Sequence, residues 1–191
     1  KAVNFGRGEV ANQTFPKDYW ASDENIAIEY DPEKSKQLLS QSGVDNPSFT
    51  LLAQANAYEA RLADAIKGQL ANIGIDVKVE TLELNVAVQK FFVDQSANAI
   101  LTSWTGRPDP QMTMNNLFTK DSFYHVGNST EEIMSLISKA GSTYDQDERA
   151  QLYKEINRMA ILQEALTIPL IVNPEIIAMK KEVKGYEPNL L

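Results

Sequence analysis

Along the chain the apolar positions change period in an order that predicts a topology. Phe49 to Gln54 is a short apolar run of strand length. Asn56-Ala57-Tyr58-Glu59 then has capping-box spacing, and Tyr58, Leu62, Ile66, Leu70 and Ile73 recur at helical intervals up to Gly74. From Ile75 to Glu80 apolar and charged residues alternate with period two, a strand pattern. A helix with Leu84, Val88, Phe91 and Phe92 on one side follows, and Ala99 to Trp104 reads as a third strand. The result is β-α-β-α-β, an α/β fold with an open, mostly parallel sheet flanked by helices. In such sheets ligands bind beyond the carboxyl ends of the strands. Three connections emerge there: Ala55-Asn56, Leu82 to Asn85, and the loop that begins at Trp104.

The flanking sequence is read in the same way. Residues 1–30, rich in Gly, Asn, Pro and aromatics without a period, are expected to form an irregular arm. Asp31 can cap a helix with Pro32 in its first turn and Gly43 at its end, burying Leu38 and Leu39. Ser129-Thr130-Glu131-Glu132 opens a further helix through Ile133, Leu136, Ile137 and Ala140, closed by Gly141. Asp145 with Glu148 opens another, through Tyr153, Ile156, Met159 and Ala160. Thr167 to Val172 and Glu175 to Lys180 read as extended edge or crossing segments around Pro169 and Pro174. The expected organisation is one domain over 1–191: arm 1–30, α/β core 31–166, and a segment 167–191 that returns toward a part of the protein outside this sequence.

Composition narrows the classes of function. The 191 residues carry a net charge of −8, which argues against nucleic acid or an anionic membrane face as partner. With 43% hydrophobic and 23% charged residues the chain can build a core. It has no cysteine, so disulfides, thiolate nucleophiles and Cys-based zinc sites are excluded. No window reaches the roughly 18 apolar residues of a membrane span, so no membrane insertion by this segment is expected. The first residue is Lys1, and the sequence is expected to be a piece of a longer protein.

Trp104-Thr105-Gly106-Arg107-Pro108-Asp109-Pro110 is the chemically richest stretch. Each proline pushes the residue before it into the extended region, so Arg107 and Asp109 face the same side. Trp104, Thr105, Arg107 and Asp109 are the candidate ligand-binding residues. Arg107 offers a planar fork to a carboxylate, Asp109 an acceptor for an ammonium or hydroxyl, and Trp104 an apolar wall. The alternative is an Arg107–Asp109 ion pair beside a core tryptophan, a pair worth little when exposed. Gly6-Arg7-Gly8 lacks the context of a phosphate loop and reads as a turn. The acidic run Asp145 to Glu148 lacks calcium-loop spacing and reads as a helix amino terminus. No metal site, cofactor or catalytic residue is expected.

Tyr30-Asp31-Pro32-Glu33-Lys34-Ser35-Lys36-Gln37-Leu38-Leu39 and Gln69-Leu70-Ala71-Asn72-Ile73-Gly74-Ile75-Asp76-Val77 resemble signatures of the peptide, nickel and opine solute-binding proteins of ABC importers, family 5. Trp104 to Pro110, Arg149 to Tyr153, Ile168-Pro169-Leu170 and Val183 to Tyr186 extend the resemblance. It implies a type II periplasmic-binding-protein lobe, the carboxyl-terminal half of a two-lobed receptor that closes on its ligand and docks on a membrane permease. It also implies a periplasmic or other extracytoplasmic location and ligand contacts from the loop after Trp104. Where dipeptide-binding members have an acidic residue for the peptide amino group, this chain has Arg107. That reversal points to a ligand carboxylate: an acidic or glutathione-like peptide, or an opine-type conjugate.

Two functional readings result. The first is a binding module without catalysis. The second is an α/β hydrolase or transferase using His125, the single histidine, with Arg107 and Asp109. The chain lacks a Gly-x-Ser-x-Gly elbow, a metal set and a cofactor loop, which favours binding.

Overall fold

The computed structural model describes residues 3, 5–127, 129–174 and 176–187. They form two compact units, one of 1–6 with 28–104 and one of 7–27 with 105–191. The chain passes from the first unit to the second after Trp104, within the stretch 31–166.

The first unit contains the predicted parallel sheet. Strand β2 (Ser48–Gln54) lies between β3 (Asp76–Leu82) and β4 (Ala99–Ile100), parallel to both, in the order β3-β2-β4. The β2–β3 register runs from Ser48 opposite Asp76 to Gln54 opposite Leu82. Consecutive Leu51, Leu52 and Ala53 are all buried, as a central parallel strand covered on both faces requires. On one face Leu51, Ala53 and Val77 pack with Ala63 of helix α2 (Ala57–Ala71), joined by Ile66, Leu70 and Val79. Leu52 points to the other face, and α3 (Leu84–Val88), which buries Ala87, packs against β2. A π-helical turn, Gln89–Val93, continues α3.

Local chemistry explains the helix starts. Asn56 Oδ1 accepts from the Tyr58 and Glu59 amides at 3.0 and 2.9 Å, while the Glu59 carboxylate accepts from the Gln54 amide. Helix α1 (Pro32–Ser42) begins at Asp31, whose Oδ1 accepts from the Lys34 amide at 2.9 Å. It ends at Gly43, whose φ of +69° suits glycine. The expected burial of Leu38 and Leu39 is corrected: α1 has no buried residue, Leu38 being 57% exposed and Leu39 half-buried. The third strand is also shorter than expected. Its pairing ends with the Leu101 amide donating to Leu52 O, three residues before the chain enters the other unit.

The second unit is mainly helical. It contains α4 (Pro110–Phe118), α5 (Glu131–Ser142) and α6 (Gln146–Arg158), the last continued by a π-helical turn, Met159–Gln163. Met114 and Phe118 of α4, Ile133 and Ile137 of α5, and Tyr153 and Ile156 of α6 form its buried interior with Phe15 and Ile26 of the arm. Asp145 Oδ1 caps α6 as predicted; α5 is capped by Thr130 Oγ1, one residue after the Ser129 that the capping-box spacing indicates. Gly141 does not close α5 as expected; the helix runs on to Ser142, and a Cβ at 141 would lie 2.8 Å from Gln111 Nε2. The arm's β1 (Glu9–Val10) pairs antiparallel with β5 (Ile171–Val172). The expected extended segment at 175–180 forms no strand among its described residues, and Glu175 itself lies outside them. Among the described residues no helix is long and apolar enough to cross a membrane.

Candidate functional site

The loop that follows β4 carries the residues singled out by the sequence. Trp104 is half-buried at the end of the first unit; Thr105, Gly106, Arg107 and Pro108 are exposed. Asp109 is extended, as the following proline dictates, with φ −114° and ψ 132°. Its Oδ1 accepts from the Gln111 amide at 2.8 Å, so Asp109 caps α4 and Pro110 occupies the first turn. This helix has the same Asp-Pro start as α1, a signal that the motif reading of the loop passed over.

Asp109 has a second partner. Its two carboxylate oxygens accept from Arg149 Nη2 at 2.8 and 3.0 Å. The guanidinium lies 5.6 Å from the Trp20 ring centroid and 5.5 Å from that of Tyr153, close enough for cation–π attraction. Arg149 Nη2 also donates to the Tyr153 hydroxyl at 2.7 Å, and that hydroxyl donates to Gln111 Oε1 at 3.0 Å. Gln111 Nε2 completes the path to Ile137 O on α5 at 3.0 Å. The hydrogen bond that Arg149 donates to Asp109 is the main cause that raises the Arg149 pKa, against the opposing effect of burial. Burial raises that of Tyr153, and Arg149 offsets part of it. The loop is held once more at Pro108, whose carbonyl accepts from the Tyr19 hydroxyl at 3.3 Å.

Sequence reasoning missed Arg149, Tyr153, Gln111, Trp20 and Tyr19 as neighbours of this loop. The helical periodicity had placed Tyr153 on a buried face, but no local pattern links residue 149 to residue 109. A second ion pair supports the same unit: Asp23, 2% exposed, accepts from Arg158 Nη2 at 2.6 Å and from the Asn25 amide at 3.0 Å. Burial opposes its ionisation, yet the hydrogen bonds from Asn25 and Arg158 hold its carboxyl below the usual range.

His125 lies in the turn after α4, its amide donating to Ser122 O. Its Nε2 is buried and makes no hydrogen bond to another protein group. Asp109, the proposed companion of His125, holds Arg149 instead. Among the described residues no group of three or more His, Asp or Glu side chains is placed to hold a metal ion.

Similarity to known proteins gives this geometry its setting. The model of the bacterial extracellular solute-binding proteins, family 5, matches residues 1–125. A dipeptide-binding protein of Pseudomonas aeruginosa is 29% identical over 97% of this chain, and one of Escherichia coli is 27% identical over 97%. Each match covers 37% of the relative, so the chain spans a little over a third of those proteins' length. The crystal structure of a dipeptide-binding protein from Pseudoalteromonas sp. SM9913 in complex with Met-Leu superposes with a TM-score of 0.76. That match is 25% identical and covers 90% of this chain and 36% of the other. The α/β class with a small parallel sheet and helices is that of type II periplasmic binding proteins. These relatives are binding proteins by name, and the hydrolase or transferase reading of His125 finds no support among them. The chain belongs to the bacterial extracellular solute-binding proteins of family 5.

Proposed function

We propose that this chain is a ligand-binding lobe of an extracytoplasmic solute receptor that delivers a peptide or peptide-like ligand to an ABC-type membrane permease, without catalysis. The observation that carries this reading is the similarity along 97% of the chain to dipeptide-binding proteins. The chain supplies one wall of the site, and a second lobe of the whole protein supplies the other. Closure of two lobes around a peptide excludes water, which strengthens each polar contact made to it. Trp104, Thr105 and Arg107 face the ligand in this reading. Asp109 acts at one remove, because its carboxylate is engaged by Arg149 and by the α4 amino terminus.

Within the ligand class, a carboxylate at Arg107 is favoured. Arg107 is exposed, and its planar, doubly donating guanidinium matches the geometry of a carboxylate. Acidic peptides and opine-type conjugates share that carboxylate chemistry. The test is calorimetry on the full-length receptor with Ala-Glu, Ala-Ala and their carboxyl-amidated forms, with and without Arg107→Ala. Loss of a charge-assisted contact in a closed cleft costs about 2–5 kcal/mol. The amide should therefore weaken binding to the wild type at least tenfold and leave the Arg107→Ala variant nearly indifferent. Equal weakening of both proteins by amidation would remove Arg107 from the site, and no binding of any peptide would remove the receptor reading.

A further inference from the structure

We propose that Arg149 is the positioning residue of the Trp104–Pro110 loop: its guanidinium, set beside the paired rings of Trp20 and Tyr153, fixes Asp109 and through it the direction of Arg107. For ligand affinity this rests on the peptide-receptor reading above; for the loop itself it does not.

The cap alone does not fix the loop. One oxygen of Asp109 satisfies the Gln111 amide, which ties the residue to α4 and to nothing beyond. Arg149 ties the same carboxylate to α6, and the Tyr153 hydroxyl and Gln111 carry the tie back to α4 and on to Ile137 of α5. Tyr19 adds the Pro108 carbonyl from the arm. The two residues that follow Arg107 are thus held from the arm, α4 and α6 together. Arg107 precedes this anchor directly, and Pro108 restricts its backbone to extended conformations.

The chemistry of the anchor requires arginine. The side chain of Arg149 is 20% exposed, its plane lies near two aromatic rings, and one nitrogen serves both Asp109 and Tyr153. Lysine supplies the charge but not the flat, weakly hydrated surface. The Nε–H of Arg149 is buried without a partner. An apolar side chain would pack there without that cost, but it could not hold Asp109.

The experiment uses the full-length receptor with Arg149→Met, Arg149→Lys and Asp109→Asn. Asn is as good a helix cap as Asp, so Asp109→Asn keeps the α4 start and removes only the charge pair. Backbone amide order parameters are measured for Thr105, Gly106, Arg107 and Asp109, with Leu51 and Val79 of the sheet as references. In the wild type the loop should approach the rigid value of about 0.85, and in Arg149→Met and Asp109→Asn fall below about 0.6 with the references unchanged. Arg149→Lys should fall between. Calorimetry with Ala-Glu should show at least a tenfold loss in Arg149→Met, and the double variant Arg149→Met/Asp109→Asn should lose no more than either single one. A loop that stays rigid in both Arg149→Met and Asp109→Asn, or equal loosening of loop and references, overturns the proposal. So does unchanged Ala-Glu affinity where the wild type binds it. Should the wild type bind no peptide, the receptor reading fails by itself and the order parameters alone decide the role of Arg149.

Discussion

Asp31 and Asp109 show how much one residue's surroundings add to its local signal. Both precede proline and both cap a helix, which sequence alone makes legible. Asp31 is exposed; Asp109 also holds an arginine 40 positions away, and no spacing rule reports a partner at that distance. Asp23 is a comparable case, hidden in an arm without period and paired across 135 positions. Its folded carboxyl lies below the usual range, whereas in the unfolded chain it titrates near 3.9. Acidification therefore protonates the unfolded chain first, and the stability that Asp23 contributes above pH 5 is lost as the pH falls through its folded pKa. Asp23→Asn should cost about 1–3 kcal/mol at pH 7. Urea unfolding should show that gap narrowing toward pH 3; a constant gap would mean that the carboxylate charge is not what stabilises. Gly141→Ala tests the approach of Gln111. Alanine favours the helix by up to about 1 kcal/mol, but its Cβ displaces a side-chain amide that donates to Ile137 O, a bond worth about 1 kcal/mol. The expected net change is within about 0.5 kcal/mol, with a shifted Gln111 side-chain amide resonance; a loss above about 2 kcal/mol would show that Gln111 cannot move aside.

At the scale of elements, periodicity located the sheet strands and most of the helices but not how deeply each is buried. β2 contains the unbroken apolar run Leu51-Leu52-Ala53, the pattern of a strand covered on both faces. α1 has leucines at positions that suit a buried face, yet no part of its unit covers them fully. Leu52→Ala should therefore cost about 2–5 kcal/mol, the range for a buried leucine, because Leu52 is 0% exposed in the central strand. Leu38→Ala should cost no more than about 0.5 kcal/mol, as at most surface positions. Denaturant midpoints of the two variants check the contrast, and similar losses would mean that α1 is packed against something else in solution. Helix α4 escaped the pattern reading because its Asp-Pro start lies inside the loop motif and its apolar residues Met114, Leu117 and Phe118 span only two turns. Short helices give short patterns, and the neighbouring prolines drew the reading toward extended chain.

For the molecule as a whole, the class of fold was legible because parallel strands alternating with helices leave few topologies. The division into two units was not, since both halves contain helices and the Gly- and Pro-rich stretch after Trp104 was read as a ligand loop inside one core. That division has a consequence for the order of events as the chain is made. The sheet draws its partners from residues 48–100, all synthesised together, so its pairing closes only short loops. The helical unit instead needs its arm: the Thr14 amide reaches Asn157 across 143 positions, and Ala11 bonds Leu170. Loop closure over such spans is slow relative to local pairing. Pulsed hydrogen exchange during refolding should thus protect the Leu51 and Val79 amides before those of Ala11 and Thr14, and simultaneous protection would refute that order. On the ribosome the same asymmetry leaves the arm, with Phe15, Ala21 and Ile26 unburied, waiting until α6 has emerged. For that interval an apolar segment near the amino end of this stretch is accessible to holdase chaperones, a vulnerability that the finished fold conceals.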